Sequence, residues 1–331
     1  MRAIVLVGGF GTRLRPLTNT VPKAMLPIAN VPLIERLIGQ LAKGGVDHVT
    51  LALGFLPDPF LAAFPDGRCG DVALDYAIEA EPLDTAGAIK FAAGHSDVDD
   101  TFVVANGDVL TDLSIADLVA THRAAGAEAT IHLIPVEQPS AFGVVELGAD
   151  GRIVRFVEKP PPGTEPSNLI NAGTYVFEPS VLELIPPGRV SVERHTFPKV
   201  AAGGRFHSLA TDDYWIDAGR PELYLSANLD LVNGRRAEVC EPVAAGAHVD
   251  PSATVLDSIV GDDVVVGAGA VVSGSVLLPG AVIGPGAVVE ASAIAGIVGA
   301  RARIVRSVVG ADAMIPDGEQ HSDARIPEPN D

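Results

Sequence analysis

The sequence predicts an α/β protein: a doubly wound, mostly parallel sheet over residues 1–237, then a left-handed β-helix over 238–318 and a disordered tail over 319–331. Three observations predict it. Strand-like and helix-like segments alternate through the first two-thirds of the chain, as in a sheet with helices on both faces. From Glu238 onward Gly and Val dominate, Lys is absent, and apolar residues recur at every sixth position. From Glu319 the chain is polar and contains proline.

The elements follow in order. Residues 2–7 are a continuous apolar run of strand type, and 31–44 have helical apolar spacing that ends in Gly-Gly. Strands are expected at 48–53, 73–78, 101–105 and 129–134, and helices at 85–93 and 113–125. In such sheets ligands bind beyond the carboxyl ends of the strands, where residues 8–13 and 106–108 leave the first and fourth strands. In the second part, Val243, Val249 and Val255 fall six apart, as do Val260, Val266 and Val272, then Val276, Val282 and Val288, then Val298 and Ile304. Each is expected to point into a narrow prism.

Composition excludes several classes of function. The chain has 42 acidic and 23 basic residues, a net charge of −19, which argues against nucleic acid as a partner. Cys69 and Cys240 form no CxxC pair, and the eight histidines show no metal-ligand spacing. No stretch is long enough to span a membrane. The short apolar run at the N-terminus lacks the cleavage site of a signal peptide, so a cytoplasmic chain is expected.

The strongest motif is GGFGTRLRPLT at 8–18, followed by PKAMLPI at 22–28. Gly8, Gly9 and Gly11 allow a sharp turn whose backbone N–H groups form an anion-binding concavity. Arg13 adds a positive fork suited to phosphate, and Lys23 adds a second charge. No Gly-Lys-Ser/Thr is present, and Leu14 stands where a dinucleotide fingerprint needs its third glycine. Three further groups are candidates. TFVVANGDVL offers Asp108 and YWIDAG offers Asp217, two remote carboxylates. Phe142-Gly143, FVEKP and INAGTY offer Gly143, Glu158, Lys159, Asn171 and Gly173. EPLDTAGAI at 81–89 offers Glu81 and Gly87.

Together these motifs resemble the sugar-1-phosphate nucleotidyltransferase family over nearly the whole chain, with mannose-1-phosphate guanylyltransferases bearing a short β-helix as the nearest likeness. The resemblance implies a Rossmann-like fold and transfer of a nucleotidyl group from a nucleoside triphosphate to a sugar-1-phosphate. It implies that Gly8, Gly9, Gly11, Thr12 and Arg13 contact the triphosphate, with Lys23 near the reacting phosphates. Asp108 and Asp217 would hold Mg2+, which needs only one or two carboxylates beside phosphate oxygens and water. Lys159 would hold the sugar's phosphate, while Glu158, Asn171 and Gly143 would read its hydroxyls and Gly173 would lie among them.

Relatives carry Glu or Gln at the position of Glu81, near the base, with Gly87 downstream. A carboxylate there accepts both donors on the pairing edge of guanine, which leans toward GTP. Glu81 could equally cap the helix that follows, and relatives usually have Gly where Asp84 stands. Adenylyl, thymidylyl or uridylyl transfer to glucose-1-phosphate or a related sugar or cyclitol phosphate therefore stays open. A homo-oligomer is expected, because the terminal coil of a β-helix is an edge that needs covering.

Two readings of other classes compete. A non-catalytic regulatory subunit would not need Arg13, Lys23, Asp108 and Asp217 together. A hexapeptide-repeat acyltransferase would need a general base, and the repeats offer only His248 near their start.

Overall fold

The computed structural model describes residues 1–54, 56–96, 98–236 and 240–329. The described chain divides into two compact units, Met1–Gly9 with Ile34–Trp215, and Phe10–Leu33 with Ile216–Asp331. The boundary expected between 237 and 238 lies outside the described residues.

The first unit is built on a ten-stranded mixed sheet. Its strands are β1 (Arg2–Leu6), β2 (His48–Leu53), β3 (Arg68–Cys69), β4 (Val72–Ile78), β5 (Phe102–Asn106), β6 (Ala129–Pro135), β7 (Gly143–Leu147), β8 (Ile153–Glu158), β9 (Leu169–Phe177) and β10 (Phe206–Ala210). Their order is β8-β7-β9-β5-β1-β2-β4-β3, with β6 beside β9 and β10 beside β6. The early strands β5, β1, β2 and β4 are parallel, whereas β9 runs antiparallel to both β5 and β6. Every residue from Ala3 to Val5 and from Phe102 to Ala105 is buried, so both faces of the central strands are covered. The helix α2 (Asp84–Ala93) lays Ala86, Ile89 and Ala92 in one core with Ile4, Ala52 and Ala77.

The expected helix over 31–44 starts two residues late, because Val31–Pro32 pairs with Pro27–Ile28 before α1 (Leu33–Lys43) begins. β1 sits between β2 and β5: the chain runs outward from β1 through β2 to β4 and then returns to β5 on the other side of β1, so the carboxyl ends of β1 and β5 form the topological switch point of this sheet.

The second unit contains a β-helix of three all-parallel sheets, each of five short strands. One sheet stacks His248–Val249, Val265–Val266, Val282–Ile283, Ile297–Val298 and Met314–Ile315. Inside the prism stand Val260, Val266, Val272, Leu277, Ile283, Val289, Ile294, Val298, Ile304 and Val309. Burying each such side chain contributes roughly 1.5–3 kcal/mol.

The expected register fails at the third group: Val276, Val282 and Val288 face outward, and Leu277, Ile283 and Val289 point in. Val243 is likewise exposed, while Val249 and Val255 pack at the margin of the core. The slip arises because the inward residue after Val272 comes five positions later, at Leu277, and both members of each pair there are apolar.

A ladder of buried serines links successive coils. Ser258, Ser275 and Ser292 each accept from the backbone N–H of the next serine in the stack, at separations of 17, 17 and 15 residues. Each hydroxyl also donates to the carbonyl two residues before it, so no buried polar atom of the ladder is left unpaired.

The tail expected to be disordered from Glu319 instead continues the prism. Gln320–Ser322 and Arg325–Ile326 pair in register with the coil above, and Ser307 Oγ accepts from Ala324 N. Its polar side chains gave no core signal, yet its backbone has a ready-made ladder to join. No helix among the described residues is long and apolar enough to cross a membrane.

Candidate active site

In the second unit, Gly11 to Lys23, the part of the expected phosphate-binding segment that lies there, is held by short turns. Gly11 adopts φ 58°, and its carbonyl accepts from Leu14 N (2.9 Å) and Thr18 Oγ1 (2.8 Å). A left-handed residue of this kind favours glycine. Thr12 and Arg13 lie on the exposed 3-10 turn that follows. Lys23 opens another 3-10 turn, and its Nζ lies 2.9 Å from Asp217 Oδ1. Arg13 Nη2 lies 3.8 Å from the other carboxylate oxygen.

The Lys23 side chain is only 10% exposed and Asp217 25%, so this contact is sheltered from solvent; Arg13 stays 57% exposed. All three charged groups close over Gly219, where a Cβ would lie 2.6 Å from Lys23 Nζ and 2.7 Å from Asp217 Oδ1. A side chain there would require the tips of these three side chains to shift. Sequence reasoning named both partners but not Gly219, whose role shows only once the chain is folded.

In the first unit, β1 and β5 end side by side, with Leu6 opposite Asn106. Gly8 and Gly9 leave β1, and Asp108 leaves β5 two residues after Asn106. The glycine between is fixed by packing: a Cβ on Gly107 would lie 2.3 Å from Val7 Cγ1. Asn-Gly-Asp is thus more than a surface turn, because its glycine lets the chain press against β1 and brings Asp108 to the switch point. Gly8 passes close to Gly54, and Gly9 is exposed with open space around it.

The residues near the expected base position divide differently from the sequence reading. Glu81 is exposed. Glu79, which the sequence reading did not name, is sheltered, approaches Gly8 and accepts from Leu83 N at 3.0 Å. Burial pushes its carboxyl pKa up, and the Leu83 N–H partly opposes that. Gly87 is explained by packing, since a Cβ would lie 2.4 Å from the Gly188 carbonyl oxygen. Asp84 holds φ 61°, a region that favours glycine, and its Oδ1 accepts from Thr85 N.

The third group meets around the paired ends of β7 and β8. Gly143 is opposite Glu158, and a Cβ on it would lie 2.3 Å from Phe156 Cζ and 3.0 Å from Glu158 Oε2. Burial, then the nearby Glu193 carboxylate, raise the Glu158 pKa; Lys159, 3.7 Å away, opposes them. Lys159 adopts φ 48°, a strained conformation for a long side chain, and strain of this kind gathers at functional positions. Asn171 staples a bulge in β9: its Oδ1 accepts from Gly173 N, and its Nδ2 donates to the Tyr175 hydroxyl. Gly173, at φ 82°, brings the bulge against Asn106.

Glu193 is a third residue that sequence reasoning did not name. It accepts from Thr85 Oγ1 (2.8 Å) and Ser191 Oγ (2.6 Å), which ties the start of α2 to the Glu158 neighbourhood. Only the surrounding fold reveals it, because a lone glutamate after Ser-Val carries no motif.

No group of three or more His, Cys, Asp or Glu side chains is gathered among the described residues. Asp108 and Asp217 offer single carboxylates, which fits magnesium sharing phosphate and water oxygens and does not fit a protein-only metal cage.

A family model for nucleotidyl transferases matches residues 2–234. The chain is 41% identical over 272 residues to a mannose-1-phosphate guanylyltransferase of Mycobacterium tuberculosis, covering 78% of this chain and 74% of that one. It is 38% identical over 266 residues to a mannose-1-phosphate guanyltransferase of Schizosaccharomyces pombe, covering 77% and 73%. Among solved structures, HddC from Yersinia pseudotuberculosis complexed with GMP-PN is similar at 29% identity and a TM-score of 0.58, covering 69% of this chain and 97% of that one.

Proposed function

This chain belongs to the nucleotidyl transferase family, and from that premise we propose that it forms GDP-mannose and pyrophosphate from GTP and mannose-1-phosphate. The observation that carries the catalytic part is the sheltered Lys23–Asp217 contact with Arg13 beside it, in the segment that opens with the glycine loop. A non-catalytic subunit would have no need for a sheltered lysine and a bare Gly219 arranged around one carboxylate.

In this reaction an oxygen of the sugar phosphate attacks the α-phosphorus and forms a new P–O bond. The bond from that phosphorus to the bridging oxygen breaks, and its electron pair leaves on pyrophosphate. The nucleophile is already anionic, so no general base is needed. The barrier lies in bringing like charges together in line.

Gly8, Gly9, Gly11 and Thr12 hold the triphosphate, and Arg13 and Lys23 stabilise charge that develops on the transferring and leaving groups. Asp108 and Asp217 would hold Mg2+, which would further neutralise the phosphates when bound. Lys159 holds the attacking phosphate. Glu158, Asn171 and the Gly143 backbone receive the sugar, with Gly173 shaping the bulge beside them.

The choice of guanine rests on the relatives' names, on the GMP-PN complex, and on a carboxylate that can accept both donors of the pairing edge. Of the two candidates, Glu79 is better sheltered and nearer Gly8 than the exposed Glu81; Gly87 contributes by seating α2. We place the reaction in the cytoplasm. A homo-oligomer is supported by the outer face of one β-helix sheet, where Val265, Val282, Ile297 and Met314 stack and Met314 is 69% exposed.

The test is a matrix of nucleoside triphosphates against sugar-1-phosphates, scored by pyrophosphate release. GTP with mannose-1-phosphate is expected to give the highest kcat/KM. A higher value for another pair would move the substrate assignment to that pair, and no release from any pair would remove the proposal.

A further inference from the structure

We infer that the β-helix positions the cationic loop, and that Gly310 is a positioning residue for Arg13 and Lys23. This rests on the catalytic reading of those two residues given above. All the groups concerned belong to one compact unit, Phe10–Leu33 with Ile216–Asp331.

The three faces of the prism are not alike. On one, the outward residues Val265, Ile297 and Met314 are 37–69% exposed. On another, the outward residues Ile259, Val276, Ala293 and Val308 are all 6% exposed or less. Two points of this covered face are met by the loop segment. Asn30 Nδ2 donates to the Val260 carbonyl at 3.3 Å. Pro16 sits against Gly310, where a Cβ would lie 2.8 Å from Pro16 Cβ and 3.1 Å from Pro16 Cγ. The loop is held between these points as well: Ala29 N donates to the buried Asn228 side chain, and the Tyr224 hydroxyl donates to the Pro27 carbonyl, both on the helix α3 (Pro221–Val232). Lys23 therefore lies in a segment anchored on each side, and Arg13 lies three residues before Pro16 in consecutive tight turns.

The repeat itself shows that the coil does not require glycine at position 310. Gly261, Leu278, Ala295 and Gly310 occupy equivalent places, each donating its N–H to the next coil, to Leu277, Ile294, Val309 and Ile326 respectively. Leucine and alanine are accommodated at two of the four. Gly310 also lies outside the positive-φ residues, so its backbone is open to any side chain. What fills the missing Cβ position is Pro16.

Proline cannot rotate its ring away, so a side chain at 310 must move the backbone that carries Arg13. A displacement on the order of 1 Å in such a group costs up to about a hundredfold in rate. The segment Arg325–Ile326, which accepts from Gly310 N at 2.7 Å, supports the same coil from below.

The experiment compares the full-length wild type with Gly310→Ala, Pro16→Gly and the double variant. It measures kcat and KM for GTP separately, hydrogen exchange over residues 10–25, and thermal midpoint. Gly310→Ala is expected to lower kcat/KM for GTP about ten- to a hundredfold and to raise exchange in the loop, with little change in thermal midpoint. The double variant is expected to be no worse than Pro16→Gly alone, because the clash needs both partners.

Additive losses, or a Gly310→Ala enzyme with wild-type kinetics and exchange, would overturn the inference. If Gly310→Ala does not fold, recovery of folding in the double variant supports the contact, and failure to recover overturns it. Lys23→Ala, assayed alongside, separates the two claims. If that variant keeps full rate, the catalytic reading fails, and the exchange data still decide the contact. If it is inactive while 16 and 310 show no coupling, the inference alone fails.

Discussion

At the end of β8, Glu158 lies opposite Gly143, and burial together with the nearby Glu193 carboxylate opposes its ionisation, with Lys159 acting the other way. A carboxyl whose pKa is raised by folding costs stability once pH rises above its ordinary range, since the charged form is the disfavoured one. Glu158→Gln, a neutral isostere, is therefore expected to raise the denaturation midpoint at neutral pH while raising KM for the sugar phosphate about tenfold or more. Urea titration and initial-rate kinetics check the two halves, and a destabilised variant with unchanged KM would contradict both.

The place of Asp108 just beyond β5 was legible because Asn-Gly-Asp ends a clear strand. The shelter of Glu79 was not, because Glu79 and Glu81 look alike in the sequence and differ only in what folds around them.

Among the elements, the β-helix illustrates the limit of periodicity. A hexad pattern showed the architecture, yet it aimed Val276, Val282 and Val288 inward when their neighbours Leu277, Ile283 and Val289 fill the prism. Where two adjacent residues are both apolar, a six-residue count cannot choose between them, and coils of unequal length shift the count from one group to the next. The observed register makes a sharp prediction. Ile283→Asn puts an amide into a dry core and is expected to cost about 3 kcal/mol or more. Val282→Asn, on the outer face, is expected to cost less than about 1 kcal/mol. Equal losses in chemical denaturation would contradict the register. The terminal coil was invisible for a related reason: backbone pairing, with few apolar side chains, holds Gln320–Ser322 in place.

For the whole molecule, alternation of strands and helices gave the first unit and its switch point. The grouping of Phe10–Leu33 with the β-helix was not legible, because it depends on packing between residues such as Pro16 and Gly310 that are remote in the chain. The acid sensitivity of the fold is also a property of its tertiary structure. His132 is fully buried on β6, donating to or accepting from Thr211 Oγ1 at 2.8 Å, and burial lowers its pKa from 6.5 to about 4. The unfolded chain takes up that proton first, so stability is complete above the ordinary imidazole value and falls as pH drops from 6.5 toward about 4. The loss is on the order of 3 kcal/mol. In His132→Gln the urea midpoint should decline less across that window; an unchanged slope would show that His132 is not the group responsible.

The central claim is that Lys23, paired with Asp217, drives nucleotidyl transfer. Its most direct test measures the rate at which GDP-mannose and pyrophosphate appear in equal amounts from GTP, mannose-1-phosphate and Mg2+, for the wild type and for Lys23→Ala with a native circular dichroism spectrum. The variant is expected to lose about a hundredfold or more in kcat. A folded Lys23→Ala enzyme turning over at near the wild-type rate would contradict it.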